Sequence, residues 1–422
     1  MVNDIVAELN AAVDRCNGCG FCQAGCPTYK TTGIEWTVAR GRIALLRDAL
    51  TGRLEMNESI REPLFNCLTC GGCTDHCFPA VPTADIVTRA RAELVRRQGE
   101  PWVQKLLFRQ VLANPSLLGL GVKMIWLSQI TGVEPLARST GAVNLLGELG
   151  QASGVLPRLP GENGRSQAGK ARRPLADRKA RVAYFLGCGT NNVYPRAAAA
   201  ATRVLNRNGV EVLLPEVVCC GKPPISYGDE AAAKGLARRN VDALLKLDVD
   251  AIVTDCATCG SFLHEYGELL ADDARYAQKA KAVADKTRDL LQFLGEVGLD
   301  QALGRVPAKV TYHDPCHLGR FQKVSKQPRD FLKAVPGVDY AELPEATMCC
   351  GGAGSYSLSH YDISMLVLDR KMANVAKTGA HVLATACPGC AMQLSYGVRR
   401  HTLPLQVKHV VEILDEAYRA AG

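Results

Sequence analysis

Aromatic side chains are scarce in this 422-residue chain, which has three tryptophans, nine phenylalanines and twelve tyrosines. With few rings interleaved among its basic residues and a net charge of only +8, the chain does not read as a nucleic-acid binder. The N-terminus, MVNDIVAELN, lacks the basic start and apolar run of a secretory signal, so a reducing, cytoplasmic setting is expected. No G-x-G-x-x-G fingerprint follows a strand-like run, which argues against a flavin or dinucleotide site within the chain. Long apolar runs are missing but for one: residues 111 to 130 hold a single charge, Lys123, in a window long enough to cross a bilayer. That mid-window charge is costly at bilayer depth, and Asn114 and Pro115 interrupt the run. The window therefore reads as a helix buried in the protein or facing a partner, with an interfacial membrane contact as the lesser alternative.

Cysteine, by contrast, is abundant: there are eighteen. In a reducing compartment closely spaced cysteines bind metal or do redox work more often than they form disulfides. Eight of them lie in residues 1 to 100. Cys16, Cys19, Cys22 and Cys26 have C-x2-C-x2-C-x3-C-P spacing, and Cys67, Cys70, Cys73 and Cys77 repeat it, with Pro79 one residue late. Zinc favours two separated Cys-x-x-Cys pairs, whereas a complete four-cysteine run is the signature of a [4Fe–4S] cubane. In such runs three thiolates wrap one cluster and the fourth crosses to the other. The expected sets are Cys16, Cys19, Cys22 and Cys77 for one cubane, and Cys67, Cys70, Cys73 and Cys26 for the second. Gly18, Gly20, Gly71 and Gly72 suit the tight turns between ligands. Between the runs, Ile43, Leu45, Leu46 and Leu50 recur at helical spacing, and a further helix is expected from about Ala84 to Arg97.

Residues 101 to 180 form a helical segment followed, from 151, by a Gly-, Pro-, Arg- and Ser-rich stretch that reads as a linker. From Arg165 to Arg181 there are seven Lys or Arg residues against one Asp. The strip reads as a solvated tether, or alternatively as a dock for an acidic partner or anionic headgroups.

The remaining ten cysteines repeat. Cys188, Cys219, Cys220, Cys256 and Cys259 are followed by Cys316, Cys349, Cys350, Cys387 and Cys390, offset by 128 to 131 residues. Each copy, 181–300 and 301–422, runs strand, helix, strand, Cys-Cys-Gly turn, helix, strand, Cys-x-x-Cys, which predicts parallel βαβ units. The fold expected is therefore an N-terminal helical module and two duplicated small α/β domains. Cysteines at the carboxyl ends of parallel strands should gather at one sheet edge. His313, Asp314 and His317 flank Cys316, and Lys222 follows the first Cys-Cys-Gly turn. The histidines read equally as proton donors or tuners of a redox centre and as structural residues, whereas Lys222 reads as structural.

The repeated Cys…Cys-Cys-Gly…Cys-x-x-Cys pattern resembles the duplicated cysteine-rich domain of the heterodisulfide reductase family and its relatives, the iron–sulfur subunits of glycolate and lactate dehydrogenases. Joined to a two-cluster ferredoxin module, the layout is most similar to the glycolate oxidase iron–sulfur subunit family over nearly the full length. The resemblance implies one or two further iron–sulfur centres, of the non-cubane [4Fe–4S] kind, on the two five-cysteine sets. A cubane on four of the five cysteines, or zinc in one copy, remains open at this point. It also implies an electron-transfer subunit that takes electrons from an FAD-containing partner oxidising a 2-hydroxy acid, glycolate or lactate, and delivers them to a quinone or other acceptor. A peripheral contact with the inner face of the membrane is compatible with that role. The alternative is a catalytic disulfide reductase working at a C-terminal cluster. No residue is assigned a catalytic role.

Overall fold

The computed structural model describes residues 2–141, 150 and 153–422, with side chains from residue 8 onward apart from those of Pro135 and Arg138. The N-terminal module is helical. Helices Val2–Asp14, Ala39–Leu50, Glu58–Phe65 and Thr83–Gln98 enclose a core of Leu9, Val13, Ile43, Leu46, Ile60, Leu64, Ile86, Val87 and Leu94. The two cysteine-bearing loops hang from these helices, because each Cys-rich run is too glycine-rich and too tightly turned to propagate a helix beyond four residues.

Each C-terminal copy is a four-stranded parallel sheet. The first comprises β1 (Ala180–Tyr184), β2 (Val210–Leu213), β3 (Ala251–Thr254) and β4 (Thr287–Asp289), in the order β2-β1-β3-β4. The second comprises β5 (Ala308–Tyr312), β6 (Val338–Tyr340), β7 (Val382–Thr385) and β8 (Gln406–His409), in the order β6-β5-β7-β8. Central strands β3 and β7 are buried at every residue, as parallel strands covered on both faces must be. The edge strands β4 and β8 are absent from the sequence reading. Their sequences, TRD and QVKH, carry no apolar run.

The two copies share one core. Helix Pro195–Arg207 carries five consecutive alanines, Ala197 to Ala201, and this small-residue face lets helices Gly164–Ala171 and Val410–Ala421 pack close against it. Arg203 pairs with buried Asp415 at 2.7 Å across that contact. Val204, Leu205, Val410 and Leu414 are wholly buried there. Each such side chain contributes roughly 1.5–3 kcal/mol relative to exposure.

Two expectations for the connecting region change. The stretch read as an unstructured linker contains helix Gly164–Ala171, capped by the Asn163 side chain accepting from Ser166 N and seated through Ala168; its small residues gave no periodic signal. Four of the strip's seven basic side chains bond within the protein while most of the strip stays solvated, as expected of it. Arg165 donates to the carbonyls of Leu214 and Pro215, Lys170 pairs with Glu162, and Arg178 and Arg181 share Glu211. The apolar window is also not buried. Helix Pro115–Ile130 has no buried residue, and Leu117, Leu120, Met124, Ile125, Leu127 and Ile130 are exposed on it. Among the described residues no single helix is long and apolar enough to cross a membrane. Trp102–Val111 and Pro115–Ile130 pass together only as a pair bent by 113°.

Candidate metal centres

Cys16, Cys19, Cys22 and Cys77 line one cavity, of about 360 Å³ between atoms and partly open to solvent. Cys26, Cys67, Cys70 and Cys73 line a second, of about 350 Å³. The fourth cysteine of each run is thus carried to the other run's cavity. Short helices Cys22–Gly25 and Gly72–Asp75 make this crossing possible by packing backbone to backbone at Gly25 and Gly72, where a Cβ on either would run into the other's carbonyl oxygen. Cys73 borders both cavities. Gly18, Gly20 and Gly71 adopt positive φ in the ligand loops. Gly72, expected to serve a turn, serves this close approach instead.

The two cavities differ in setting. Cys19 is exposed, and Phe21 and Phe78 stand 64% and 96% exposed in the loops beside the first. The second is covered by the C-terminal half. Cys70 interacts directly with Cys349, which with burial holds its thiol well above the ordinary range. Arg320 donates to Asp75 at 2.6 Å and to Cys70 O at 3.3 Å, so one guanidinium of the second copy grips the second cysteine loop. Arg91 lies beneath the same loop and donates to the carbonyls of Leu64, Cys67 and, in the first copy, Ser226. Sequence reading missed these arginines and the Cys70–Cys349 contact, because no local pattern encodes how separate modules dock.

In both copies the cysteines follow the carboxyl ends of the strands, and the two sets abut. Within the first, Cys188 interacts with Cys219, Cys219 with Cys220, Cys220 with Cys259, and Cys259 with Cys256. Cys256 then meets Cys387 of the second copy. From there the contacts run Cys387 to Cys390, Cys390 to Cys350, Cys350 to Cys349, and Cys349 to Cys316. The thiol series is unbroken from Cys188 to Cys70. Hydrogen bonding by Cys219 holds Cys220 well below the usual thiol range, and by Cys349 holds Cys350 likewise. The second member of each adjacent pair is thereby favoured as thiolate, the form that binds metal.

Lys222 pairs with Glu265 at 3.1 Å and lies over the Phe262 ring, a structural role. Asp314 is held by Arg329 at 2.6 Å. His317 stacks on Phe321 and its Nδ1 lies 3.2 Å from Ser261 Oγ in the first copy. His313 is fully buried beside Cys350 and Cys390, with no hydrogen-bond partner on either ring nitrogen among the described residues. Burial, and then the charge of Lys371, push it down to about 3, so the ring is neutral.

All eighteen cysteines are free thiols, and all lie in these four sets. Sets built almost wholly of soft sulfur donors suit iron–sulfur centres, and the arrangement defines the chain as an iron–sulfur protein. Residues 12–80 match the 4Fe-4S dicluster domain, residues 182–264 and 310–395 the cysteine-rich domain, and residues 99–156 the linker region of the glycolate oxidase iron-sulfur subunit. The chain is 34% identical to the probable glycolate oxidase iron-sulfur subunit of Bacillus subtilis over 414 residues, 95% of this chain and 93% of that protein. Identity to the glycolate oxidase iron-sulfur subunit of Escherichia coli is 31% over 419 residues, 97% and 95% of the two chains. Lactate utilization protein A of Bacillus subtilis is 33% identical over 237 residues, 56% of this chain and 99% of that one. The chain belongs to the glycolate oxidase iron–sulfur subunit family, and so is the iron–sulfur subunit of an oxidoreductase complex.

Proposed function

We propose that this chain conducts single electrons from an FAD-containing subunit, which oxidises a 2-hydroxy acid such as glycolate or lactate, to a quinone or another acceptor. The observation that carries the reading is the continuity of the thiol sets, from the solvent-facing cavity at Cys19 through Cys73 and Cys70 to the ten cysteines of the duplicated half. In this reading Cys16, Cys19, Cys22 and Cys77 hold one [4Fe–4S] cubane, and Cys67, Cys70, Cys73 and Cys26 hold another. Cys188, Cys219, Cys220, Cys256 and Cys259 hold a third iron–sulfur centre, of non-cubane type, and Cys316, Cys349, Cys350, Cys387 and Cys390 a fourth. Such centres exchange one electron at a time, whereas removal of a hydride is flavin chemistry. The protein's own contribution is spacing and dryness: Cys70, Cys220, Cys256, Cys349 and Cys387 are buried where the sets meet, which keeps water from the transfer route.

The chain works at the inner, cytoplasmic face of the membrane, touching it through residues 102–130. Helix Pro115–Ile130 rests on the protein through Gln129, which bonds Pro157 O and Leu159 N, and through the Trp126 ring, which lies against Gly161. Leu117, Leu120, Met124, Ile125, Leu127 and Ile130 stand exposed on it, a concentration of apolar surface that a helix facing water does not normally carry. No Asp or Glu lies between residues 101 and 133, and exposed Lys105 and Lys123 make no ion pair among the described residues, which suits anionic headgroups.

The test is reconstitution. The anaerobically purified chain should contain about eight irons for the N-terminal module and up to about sixteen in all. Alone it should not oxidise glycolate or lactate, and it should restore acceptor reduction when mixed with its flavoprotein partner. Oxidation of a 2-hydroxy acid by this chain alone would overturn the reading.

A further inference from the structure

The two C-terminal copies are not chemically equal. Aligned without a gap, RVAYFLGC of the first copy and KVTYHDPC of the second put Phe185 and His313 at the same position. Their backbones are equivalent: Phe185 N donates to Val253 O at 2.8 Å and His313 N to Ala384 O at 2.9 Å, each joining the end of one central strand to the next. Both side chains are completely buried. A phenylalanine is at home there. An imidazole is not, since both of its ring nitrogens lack a hydrogen-bond partner among the described residues, and a buried polar group left unpaired is disfavoured.

What faces the ring supplies the reason. One ring nitrogen of His313 and the sulfurs of Cys350 and Cys390 all lie within 4.8 Å of one another, the spread of donors around one metal atom. Neighbouring polar groups leave the ring alone: Asp314 is taken by Arg329, and His317 by Ser261. We propose that His313 is a nitrogen ligand of the second C-terminal iron–sulfur centre, alongside Cys350 and Cys390, so that this centre has a mixed nitrogen–thiolate set while the first is bound by thiolates alone. The proposal rests on the reading that the second five-cysteine set holds an iron–sulfur centre. On iron the neutral imidazole displaces one of the other three thiolates of the set, which leaves less negative charge on the cluster, and histidine ligation raises the reduction potential of iron–sulfur centres. The second centre thereby becomes the more readily reduced of the two.

Pulsed EPR on the anaerobic, full-length holoprotein tests this, with histidine carrying nitrogen-15 in a parallel sample. One C-terminal centre should show a strong nitrogen coupling that changes isotope with the label, persists in His317→Phe and vanishes in His313→Phe. The latter variant installs the first copy's own residue, and the same centre should then titrate at lower potential while the N-terminal signals stay put. Full iron content with no strongly coupled histidine nitrogen, or a coupling that survives in His313→Phe, would overturn the ligation and leave the electron-carrier reading standing. Iron confined to the N-terminal module in the wild-type protein would overturn both. Should His313→Phe fail to fold, the labelled wild-type spectrum decides alone.

Discussion

Arg91 donates to Leu64 O, Cys67 O and Ser226 O while 4% exposed, so one buried cation joins the N-terminal core, the second cysteine loop and the first C-terminal copy. Arg91→Ala should cost about 3 kcal/mol in chemical denaturation, since three buried carbonyls lose a charged donor at once. An unchanged midpoint would remove that role. Cys26 makes a sharper case, because its own run would keep three of four cysteines without it. Cys26→Ser should nevertheless damage the cubane of Cys67, Cys70 and Cys73, with loss of up to about four irons, and leave the signal of the Cys16, Cys19 and Cys22 cluster. The opposite spectroscopic loss would show the crossed pairing to be wrong. At this scale the ligand types were legible because cysteine spacing is local. The unpartnered state of His313 was not, since only tertiary packing reveals which polar atoms go unsatisfied.

Among the elements, the outward face of helix Pro115–Ile130 is where composition and placement diverge. Its apolar residues were plain in the sequence, and they suggested burial or a partner because water normally drives such faces out of its reach. The structure instead leaves every residue of the helix at least partly exposed and anchors it through Gln129. Leu120→Glu combined with Met124→Glu should abolish flotation of the purified chain with vesicles containing phosphatidylglycerol, while the iron absorbance stays unchanged, as both residues are exposed. Flotation that survives the double change, or wild-type protein that never floats, would rule out a lipid contact at this face. The strand and helix alternation of the C-terminal half was read correctly for six strands, since each has β-branched or aromatic residues and leads toward a cysteine. Strands β4 and β8 escaped because polar edge strands carry no period, and their signals lie in the helices they precede: Asp289 and His409 cap those helices.

Across the whole molecule, the duplicated half sits on the N-terminal module so that the cavity of Cys26, Cys67, Cys70 and Cys73 faces Cys316 and Cys349. Lys30 to Glu345 at 2.9 Å, Arg320 to Asp75 and Tyr356 to Asn66 hold that junction. None of these long-range pairs was legible in the sequence, since each couples residues more than 200 positions apart. Their consequence is that Cys349 and Cys350 stand where the module meets the rest of the thiol series. The most direct test of the electron-carrier account is stopped-flow of the reconstituted complex with Cys349 and Cys350 both changed to Ser. The account predicts that the partner's flavin is still reduced by the 2-hydroxy acid while acceptor reduction stops. Rapid reduction of a low-molecular-weight disulfide by the wild-type chain, lost in the double variant, would contradict it and place catalysis on the C-terminal cysteines.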